Sequence, residues 1–157
     1  MKILAIDPGY ERVGIAILEK EGGTEELLYS NCLKTSPKLS LPERISLIGK
    51  EVNRLIKKYK SEALAIETLF FTKNKKTAMA VAEARGVIIY ECFRAGLSIF
   101  EYTPLQVKVA VTSYGKATKN QVISMVGQLI NIGNTTQDDE IDAIAIGLTY
   151  FAHQKSL

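Results

Sequence analysis

Four acidic residues stand where an apolar segment ends or a helix begins, and together they could bind a metal ion. Asp7 closes the segment ILAID, and Glu67 closes ALAIE. Asp139 and Asp142 lie three positions apart before the apolar run AIAIG. Carboxylate oxygens are hard ligands that suit Mg²⁺ or Mn²⁺. Two such ions about 3.5–4 Å apart can activate an attacking water and stabilise the departing 3′-oxygen of a phosphodiester.

The predicted elements bring these acids to one edge of a sheet. If the strands that end at Asp7 and Glu67 are parallel neighbours, about 4.8 Å apart, their acids share one rim. Repulsion and desolvation would make that pairing costly, and a divalent cation removes the conflict. Asp139 and Asp142 are expected to face the same way on the first turn of a helix, where the helix dipole favours negative charge.

Each acid also has a simpler local interpretation. Asp7 precedes Pro8-Gly9 and could serve only the turn. Glu67 could end its strand as a solvated charge, and Asp138 or Asp139 could be a helix-start acid. Because Asp138, Asp139 and Glu140 are adjacent, spacing alone leaves open which of them binds metal. The metal-site hypothesis therefore depends on four acids converging, not on any one of them.

Hydrophobic periodicity predicts an α/β fold with a mixed five-stranded sheet and helices on both faces. The first strands are expected to be antiparallel, and the strands 2–7 and 62–67 to be parallel near the middle. The helix predicted over 41–56 follows the capping box SLPE. The other predicted strands cover 12–20, 25–35 and 97–102, and the other predicted helices cover 74–94, 118–130 and 136 onwards.

Length and composition indicate an ordinary globular protein. The 157 residues predict a single domain over 1–157, and 46% of them are hydrophobic. No apolar run reaches the roughly 20 residues of a membrane span and no signal peptide is evident, so a cytoplasmic location is expected. Cys32 and Cys92 form no spaced motif and are interpreted as small buried hydrophobic residues.

Charge is unevenly spread along the chain, although the formal net charge is only +3. Residues 120–157 hold four acids against Lys155 alone, and the remainder is basic. Cations for a phosphate backbone and carboxylates for metal are what a phosphodiester-cutting enzyme needs. The alternative is that these lysines only solvate helix faces.

Six motifs follow one another along essentially the whole chain. They are IDPG at 6–9 with the following Gly14, AIETLFFTKN at 65–74, EARG at 83–86, QVK at 106–108, KNQV at 119–122 and DDEIDAIAIG at 138–147. As a highly specific set, they resemble the motifs of the RuvC-type Holliday junction resolvases, the crossover junction endodeoxyribonucleases.

The resemblance implies an RNase H-like fold and a homodimer that makes paired symmetric nicks in four-way junction DNA. It also implies Mg²⁺ dependence, with Mn²⁺ as a substitute and two ions per site, and cooperation with the branch-migration complex of RuvA and RuvB proteins. The family's catalytic and metal-binding acids fall on Asp7, Glu67, Asp139 and Asp142. The family's third acid is not always an aspartate.

The resemblance also suggests residues that contact DNA. Phe70 matches an aromatic associated with junction distortion, which could stack on unpaired bases, and Phe71 could exchange roles with it. A core phenylalanine is the alternative. Ser113 stands where many relatives carry glycine, so the loop 112–116 is expected to differ in shape. The basic residues expected to contact DNA are Lys73, Lys75, Lys76, Lys108, Lys116 and Lys119.

The helix over 76–94 carries apolar or small residues on more than one face. One face can cover the sheet, and the excess suggests a dimer interface. A two-fold dimer would match a two-fold-symmetric junction with two strands to cut. The alternative is a central helix buried within one subunit.

Three other functions were weighed. An actin-like or sugar-kinase-like ATPase also opens with an apolar strand, an aspartate and a glycine turn, but it needs two lobes. A binding module for branched DNA would not need the acid quartet. A resolvase-like nuclease acting on RNA is the nearest alternative. Comparing cleavage of a four-way junction, linear duplex and structured RNA in Mg²⁺ separates these functions.

Overall fold

A five-stranded mixed sheet forms the centre of the molecule. The structure, a computed structural model, describes residues 1–69, 75–135 and 137–154, with the side chain of Lys75 also outside the described part. The strand order is β3-β2-β1-β4-β5. The strands are β1 (Lys2–Asp7), β2 (Arg12–Glu21), β3 (Thr24–Lys34), β4 (Ala63–Glu67) and β5 (Ser98–Tyr102). All five lie within a residue or two of their predicted positions.

Strand directions agree with the sequence-based expectation. β1 pairs antiparallel with β2, which pairs antiparallel with β3. β1 pairs parallel with β4, with Ile6 opposite Ile66, and β4 pairs parallel with β5. The carboxyl ends of β1, β4 and β5 therefore meet at one rim, and Asp7 and Glu67 both lie on it.

Helices cover both faces of the sheet, because both faces of the central strands are apolar. α1 (Leu41–Tyr59) and α2 (Lys75–Arg94) pack on the face that carries Leu4, Ile6 and Ile66. α3 (Pro104–Thr112), α4 (Lys119–Leu129) and α5 (Asp138–His153) pack on the face that carries Ile3 and Ala5. The α/β architecture with helices on both faces is confirmed. No helix among the described residues is both long and apolar enough to cross a membrane.

Side-chain capping sets the starts of three helices. Ser40, Thr103 and Thr118 each accept a hydrogen bond from the third helical residue, whose side chain bonds back to the cap. The helix α3 was missed from the sequence, because Thr103-Pro104 was interpreted only as the end of β5. Proline is favourable in a first helical turn, so Thr103, Pro104 and Gln106 together carried the signal.

The last helix lies close against the sheet. A Cβ built on Gly147 would lie 2.4 Å from Cδ1 of Leu18, so a glycine is needed where α5 crosses β2. Both cysteines are buried and free, as predicted. His153, to which the sequence assigned no role, has its Nδ1 2.8 Å from the backbone oxygen of Thr149 on its own helix.

Candidate active site

Asp7 and Glu67 are neighbours at the rim, at the ends of two adjacent parallel strands. Their carboxyl groups are within hydrogen-bonding reach of each other. Burial is the main cause that raises the pKa of Asp7 to about 8. The negative charges of Glu67, Asp142 and Asp139, in that order, also raise it, while Lys119 opposes them. Carboxyl groups with such raised pKa values are common at functional sites, where a nearby positive charge would favour the ionised form.

The same conflict extends to the other acids. Burial, followed by the charge of Asp142, raises the pKa of Glu67. Burial also raises the pKa of Asp142, and Lys119 partly offsets this effect. Three carboxyl groups from three separate elements therefore share a poorly solvated region. An all-oxygen donor set with this excess of negative charge fits a hard divalent cation.

Lys119 links two acids of α5. Its Nζ lies 3.2 Å from Oδ2 of Asp142 and 3.3 Å from Oδ2 of Asp138. Lys119 is the first residue of α4, where the Thr118 cap fixes the chain. The ammonium group of Lys119 therefore lies beside the acidic site and offsets part of its negative charge.

Asp139 enters the site from the other direction. Its carboxylate accepts hydrogen bonds from Arg12 and from the Cys32 thiol, both on the β2–β3 side of the rim. The side chains of Asp139 and Asp142 have different partners, although the charges of both raise the pKa of Asp7 after burial and Glu67. Of these two acids, Asp139 lies in the first turn of α5 and Asp142 lies beyond it. The prediction that both lie in that turn was wrong for Asp142, because the helix begins at Asp138.

The structure distinguishes the adjacent acids of that first turn. The side chain of Asp138 is 59% exposed and that of Asp139 is 25% exposed. Glu140 is bonded away from the site, since Oε2 accepts from the Ser30 hydroxyl at 2.6 Å. Asp139 is the member of the group that lies against β2, near Asp7. Its neighbours lie further out.

The acids are gathered but not in a coordinating arrangement. Within the described ranges, no three side chains of aspartate, glutamate, histidine or cysteine are placed to hold a metal ion together. Arg12 bonds Asp139 and Lys119 bonds Asp142, on opposite sides of Asp7 and Glu67.

A cavity of about 280 Å³ opens beside the acids. Glu67, Asp142, Lys108 and Lys119 supply its charged groups. Its apolar wall comes from α3, α4 and α5 and consists of Pro104, Val107, Val122, Ala145 and Ile146. This mixture can accept the phosphate and the less polar sugar of a nucleotide side by side.

The family model of the crossover junction endodeoxyribonuclease RuvC matches residues 3–150. The chain belongs to the RuvC family. A RuvC from Finegoldia magna is 41% identical over 99% of this chain and 95% of its own length. A RuvC from Thermosipho melanesiensis is 44% identical over 93% and 94%.

Solved structures agree with this assignment. T. thermophilus RuvC in complex with Holliday junction substrate has a TM-score of 0.91 and 31% identity, covering 98% of this chain and 94% of its own. The yeast mitochondrial resolvase Ydc2 has a TM-score of 0.69 at 16% identity, covering 97% and 79%, and supports the fold alone. The predicted family and the RNase H-like fold are both confirmed.

The EARG motif shared with the RuvC family has a structural explanation. Nε of Arg85 donates a hydrogen bond of 3.0 Å to the backbone oxygen of Glu67, and its guanidinium also pairs with Glu101. Arg85 therefore fixes the end of β4 from α2. Gly86, the next residue, is exposed, and a Cβ built on it would contact nothing within 4 Å.

The predicted DNA contacts are only partly described. Lys119 and Lys108 lie at the cavity, and Lys76 and Lys116 are exposed elsewhere. Phe70, Phe71 and Lys73 lie outside the described residues, as does the side chain of Lys75. Ser113 adopts a left-handed conformation with φ 58°, which glycine adopts readily. That conformation accounts for the glycine expected there in RuvC relatives.

Two positively charged residues with structural contacts, one of them at the site, were missed from the sequence. Arg12 is paired with a residue 127 positions away, a relation that no local pattern reveals. Arg44 is buried and donates to the hydroxyl and backbone oxygen of Thr35. The same hydroxyl donates to the backbone oxygen of Tyr10, and this ties the turn after Asp7 to β3 and α1.

Proposed function

We propose that this chain is a structure-selective endodeoxyribonuclease that resolves four-way (Holliday) junctions by paired symmetric nicks. One observation carries the proposal. Acids from β1, β4 and α5 converge on the strand-end rim of a RuvC-family fold, and their pKa values are raised. The product ends would be 5′-phosphate and 3′-hydroxyl, which a ligase can seal in recombination and repair.

Asp7, Glu67, Asp139 and Asp142 would hold the metal, Mg²⁺ or in its place Mn²⁺, with two ions per site. Bound there, the cations supply positive charge that favours ionisation of the attacking water and stabilises the departing 3′-oxygen. The raised pKa values of Asp7, Glu67 and Asp142 support this assignment, since burial first and mutual repulsion second disfavour the ionised carboxylates, and a bound cation offsets both.

The lysines would position the scissile phosphate. Lys108 and Lys119 line the same cavity as Glu67 and Asp142, so a phosphate there would meet cations on one side and acids on the other. The water gives up a proton to solvent, and its oxygen forms a bond to phosphorus from the side opposite the 3′-oxygen. The phosphorus–3′-oxygen bond breaks, and the departing oxygen takes up a proton from solvent to become the 3′-hydroxyl. Lys119 partly opposes the rise that burial causes in the pKa of Asp142, which favours the ionised carboxylate.

A homodimer would place two such sites on one junction. On α2, the residues Met79, Gly86, Tyr90 and Phe93 recur at helical spacing, and all four are exposed. Gly86 would allow a second copy of the helix to approach closely. A two-fold pairing on this stripe matches the symmetry of the junction. Cooperation with RuvA and RuvB proteins, in the cytoplasm, follows from family membership and belongs to the same proposal.

Cleavage of a mobile four-way junction tests the function directly. The wild-type chain is incubated with the junction, with linear duplex and with structured RNA, each in Mg²⁺ and in EDTA. We expect paired cuts of the junction in Mg²⁺ alone, and Asp7→Asn should bind the junction in Ca²⁺ without cutting it. Preferential cleavage of structured RNA would instead support an RNA nuclease.

A further inference from the structure

Arg12 contacts Asp139 through only one of its two carboxylate oxygens. Its Nε lies 2.8 Å, and its Nη2 2.5 Å, from the same carboxylate oxygen, Oδ2. The Cys32 thiol donates to that oxygen too, over 3.6 Å. All three contacts go to Oδ2 and none of them to Oδ1 of Asp139. Two donors from β2 and one from β3 therefore hold one oxygen of the carboxylate.

The contact draws Asp139 towards one end of the rim. In the strand order β3-β2-β1-β4, Arg12 and Cys32 lie on the β3 side of Asp7, and Glu67 lies on the opposite side. Of the three carboxylates that repel Asp7, Asp139 has the smallest effect. The absence of a coordinating trio across residues 1–69, 75–135 and 137–154 is consistent with this displacement.

We propose that Arg12 is a positioning residue that competes with the divalent cation for the carboxylate of Asp139. The inference rests on the proposed function, because it takes Asp139 as a metal ligand. With no cation bound, the guanidinium fork holds Asp139 on the β2–β3 side and offsets its charge. For Asp139 to bind a divalent cation, its contacts with the Arg12 guanidinium must first break. Half of the Arg12 side chain is exposed, so the released guanidinium can be solvated.

The opposite role predicts the opposite sign. Partners of a ligating carboxylate commonly orient it for the metal, and their loss weakens binding. If Arg12 oriented Asp139 in that way, its removal would weaken cation binding. If Arg12 competes, its removal strengthens cation binding. The direction of the change in the dissociation constant therefore decides between the two roles.

The experiment is calorimetric titration of Mn²⁺ into the full chain without DNA. We expect Arg12→Gln to lower the Kd for Mn²⁺ about three- to fivefold, the modest effect of removing a partly exposed ion pair. Lys34→Gln is the matched control, because Lys34 is exposed and lies opposite Arg12 in the β2–β3 register. It removes the same charge without touching Asp139 and should leave the Kd unchanged.

A double-mutant cycle tests whether Arg12 acts through Asp139. In the Asp139→Asn background, Arg12→Gln should no longer tighten Mn²⁺ binding. Arg12→Lys, which keeps an ion pair without the fork, should return the Kd towards the wild-type value. Thermal unfolding of each variant in EDTA shows whether the fold is retained.

Several results would overturn the proposal. One is a Kd for Mn²⁺ that Arg12→Gln leaves unchanged or raises. Another is a Kd lowered equally by Lys34→Gln, or lowered by Arg12→Gln to the same extent when Asp139 is replaced by asparagine. The last is that neither the wild type nor Arg12→Gln binds Mn²⁺. Failure of the nuclease proposal looks different. In that case the wild-type chain would bind Mn²⁺ in an Arg12-dependent manner and leave the four-way junction uncut.

Discussion

The backbone oxygen of Asp139 lies against the α-carbon of Gly14, so closely that a Cβ built there would be 1.9 Å from that oxygen. The same Cβ would lie 3.3 Å from Cβ of Asp7, which faces Gly14 in the β1–β2 register. The absence of a side chain at position 14 therefore lets the first turn of α5 reach the acidic end of β1. Glycine is required here because there is no space for a side chain. Its backbone conformation is not the reason, because Gly14 is not among the glycines with positive φ.

Gly14→Ala should therefore disrupt both stability and activity. The methyl group would collide with main-chain atoms, which have no rotamer to relieve the contact, and would push the start of α5 away from Asp7. We expect a loss of unfolding free energy on the order of 1–3 kcal/mol and loss of junction cleavage. Urea unfolding and a cleavage assay on the same preparation measure the two effects.

Gly127→Ala is the control for that substitution. Gly127 lies in α4 and is exposed, and a Cβ there would have only an ordinary contact, 3.8 Å from Ile132 Cδ1. Alanine should be neutral or slightly stabilising there and should leave cleavage intact. If Gly14→Ala behaved in the same way, the close approach of α5 would not be needed for the site.

Asp7→Asn is expected to separate activity from stability. The folded chain holds the Asp7 proton up to a pKa of about 8, well above the ordinary value of 3.8. Between these values the folded state binds more protons than the unfolded state, so stability falls as pH rises from about 4 to 8. The neutral amide avoids that loss. Asp7→Asn should therefore abolish cleavage yet stabilise the metal-free protein at pH 8 by about 1–3 kcal/mol.

The measurement is thermal unfolding in EDTA at a series of pH values. The advantage of Asp7→Asn over the wild type should grow from pH 5 to pH 8 and then level off. Glu26→Gln removes a charge from an exposed position on β3 and should alter neither the pH profile nor cleavage. An Asp7→Asn protein that is less stable than the wild type at every pH would make Asp7 a structural residue.

Lys119→Ala should shift the pH dependence of the reaction. Lys119 lowers the pKa of Asp7 and partly offsets the rise at Asp142, so its loss keeps both acids protonated to a higher pH. Because metal ligands must be deprotonated, the acidic limb of the profile of kcat/KM against pH moves to higher pH. We expect a loss on the order of 10²-fold at neutral pH, partly recovered at pH 9.

Lys50→Ala provides the comparison. Lys50 is exposed on α1, on the opposite face of the sheet from α4 and α5. Its removal should leave the pH profile in place. A uniform loss in Lys119→Ala at every pH would mean that Lys119 holds phosphate without influencing the acids.

Local patterns in the sequence predicted the elements well and the long-range contacts poorly. Apolar runs that end in Asp7 and Glu67 predicted both acids on one rim. Strands that are apolar on both faces are typical of parallel sheets, and the carboxyl ends of parallel neighbours lie at the same edge. The capping residues that predicted α1 and α4 recur at Thr103, yet the α3 helix was missed. The Arg12–Asp139 pair forms only when β2 and α5 meet in the folded chain, and no local spacing encodes it.

Function was predicted by combining these physical arguments with the family motifs. The acid quartet alone left Asp138 and Asp139 indistinguishable, because adjacent residues at a helix start have the same local signature. Folding separates them, since Gly14 receives the backbone of Asp139 while Asp138 stays exposed. Which acid reaches the rim thus depends on a glycine far away in the sequence.

Phe93→Glu tests the stripe on α2 as the dimer interface. The Phe93 side chain is the most exposed of the large apolar residues that the structure describes, and Met79 and Tyr90 share its stripe. A carboxylate within a paired apolar surface would be desolvated without a partner, so dimers should dissociate. We expect sedimentation equilibrium to show a dimer for the wild type and a monomer for Phe93→Glu.

The consequence for cleavage can be measured on a supercoiled plasmid that extrudes a cruciform. Paired nicks within one encounter give linear product, whereas independent nicks give open circles. The wild type should give mainly linear product and Phe93→Glu mainly open circles. Leu129→Glu, which changes an exposed apolar residue on α4 outside the stripe, should behave as the wild type. If Phe93→Glu remains a dimer with paired nicks, the subunits meet elsewhere and the exposed face of α2 has another use.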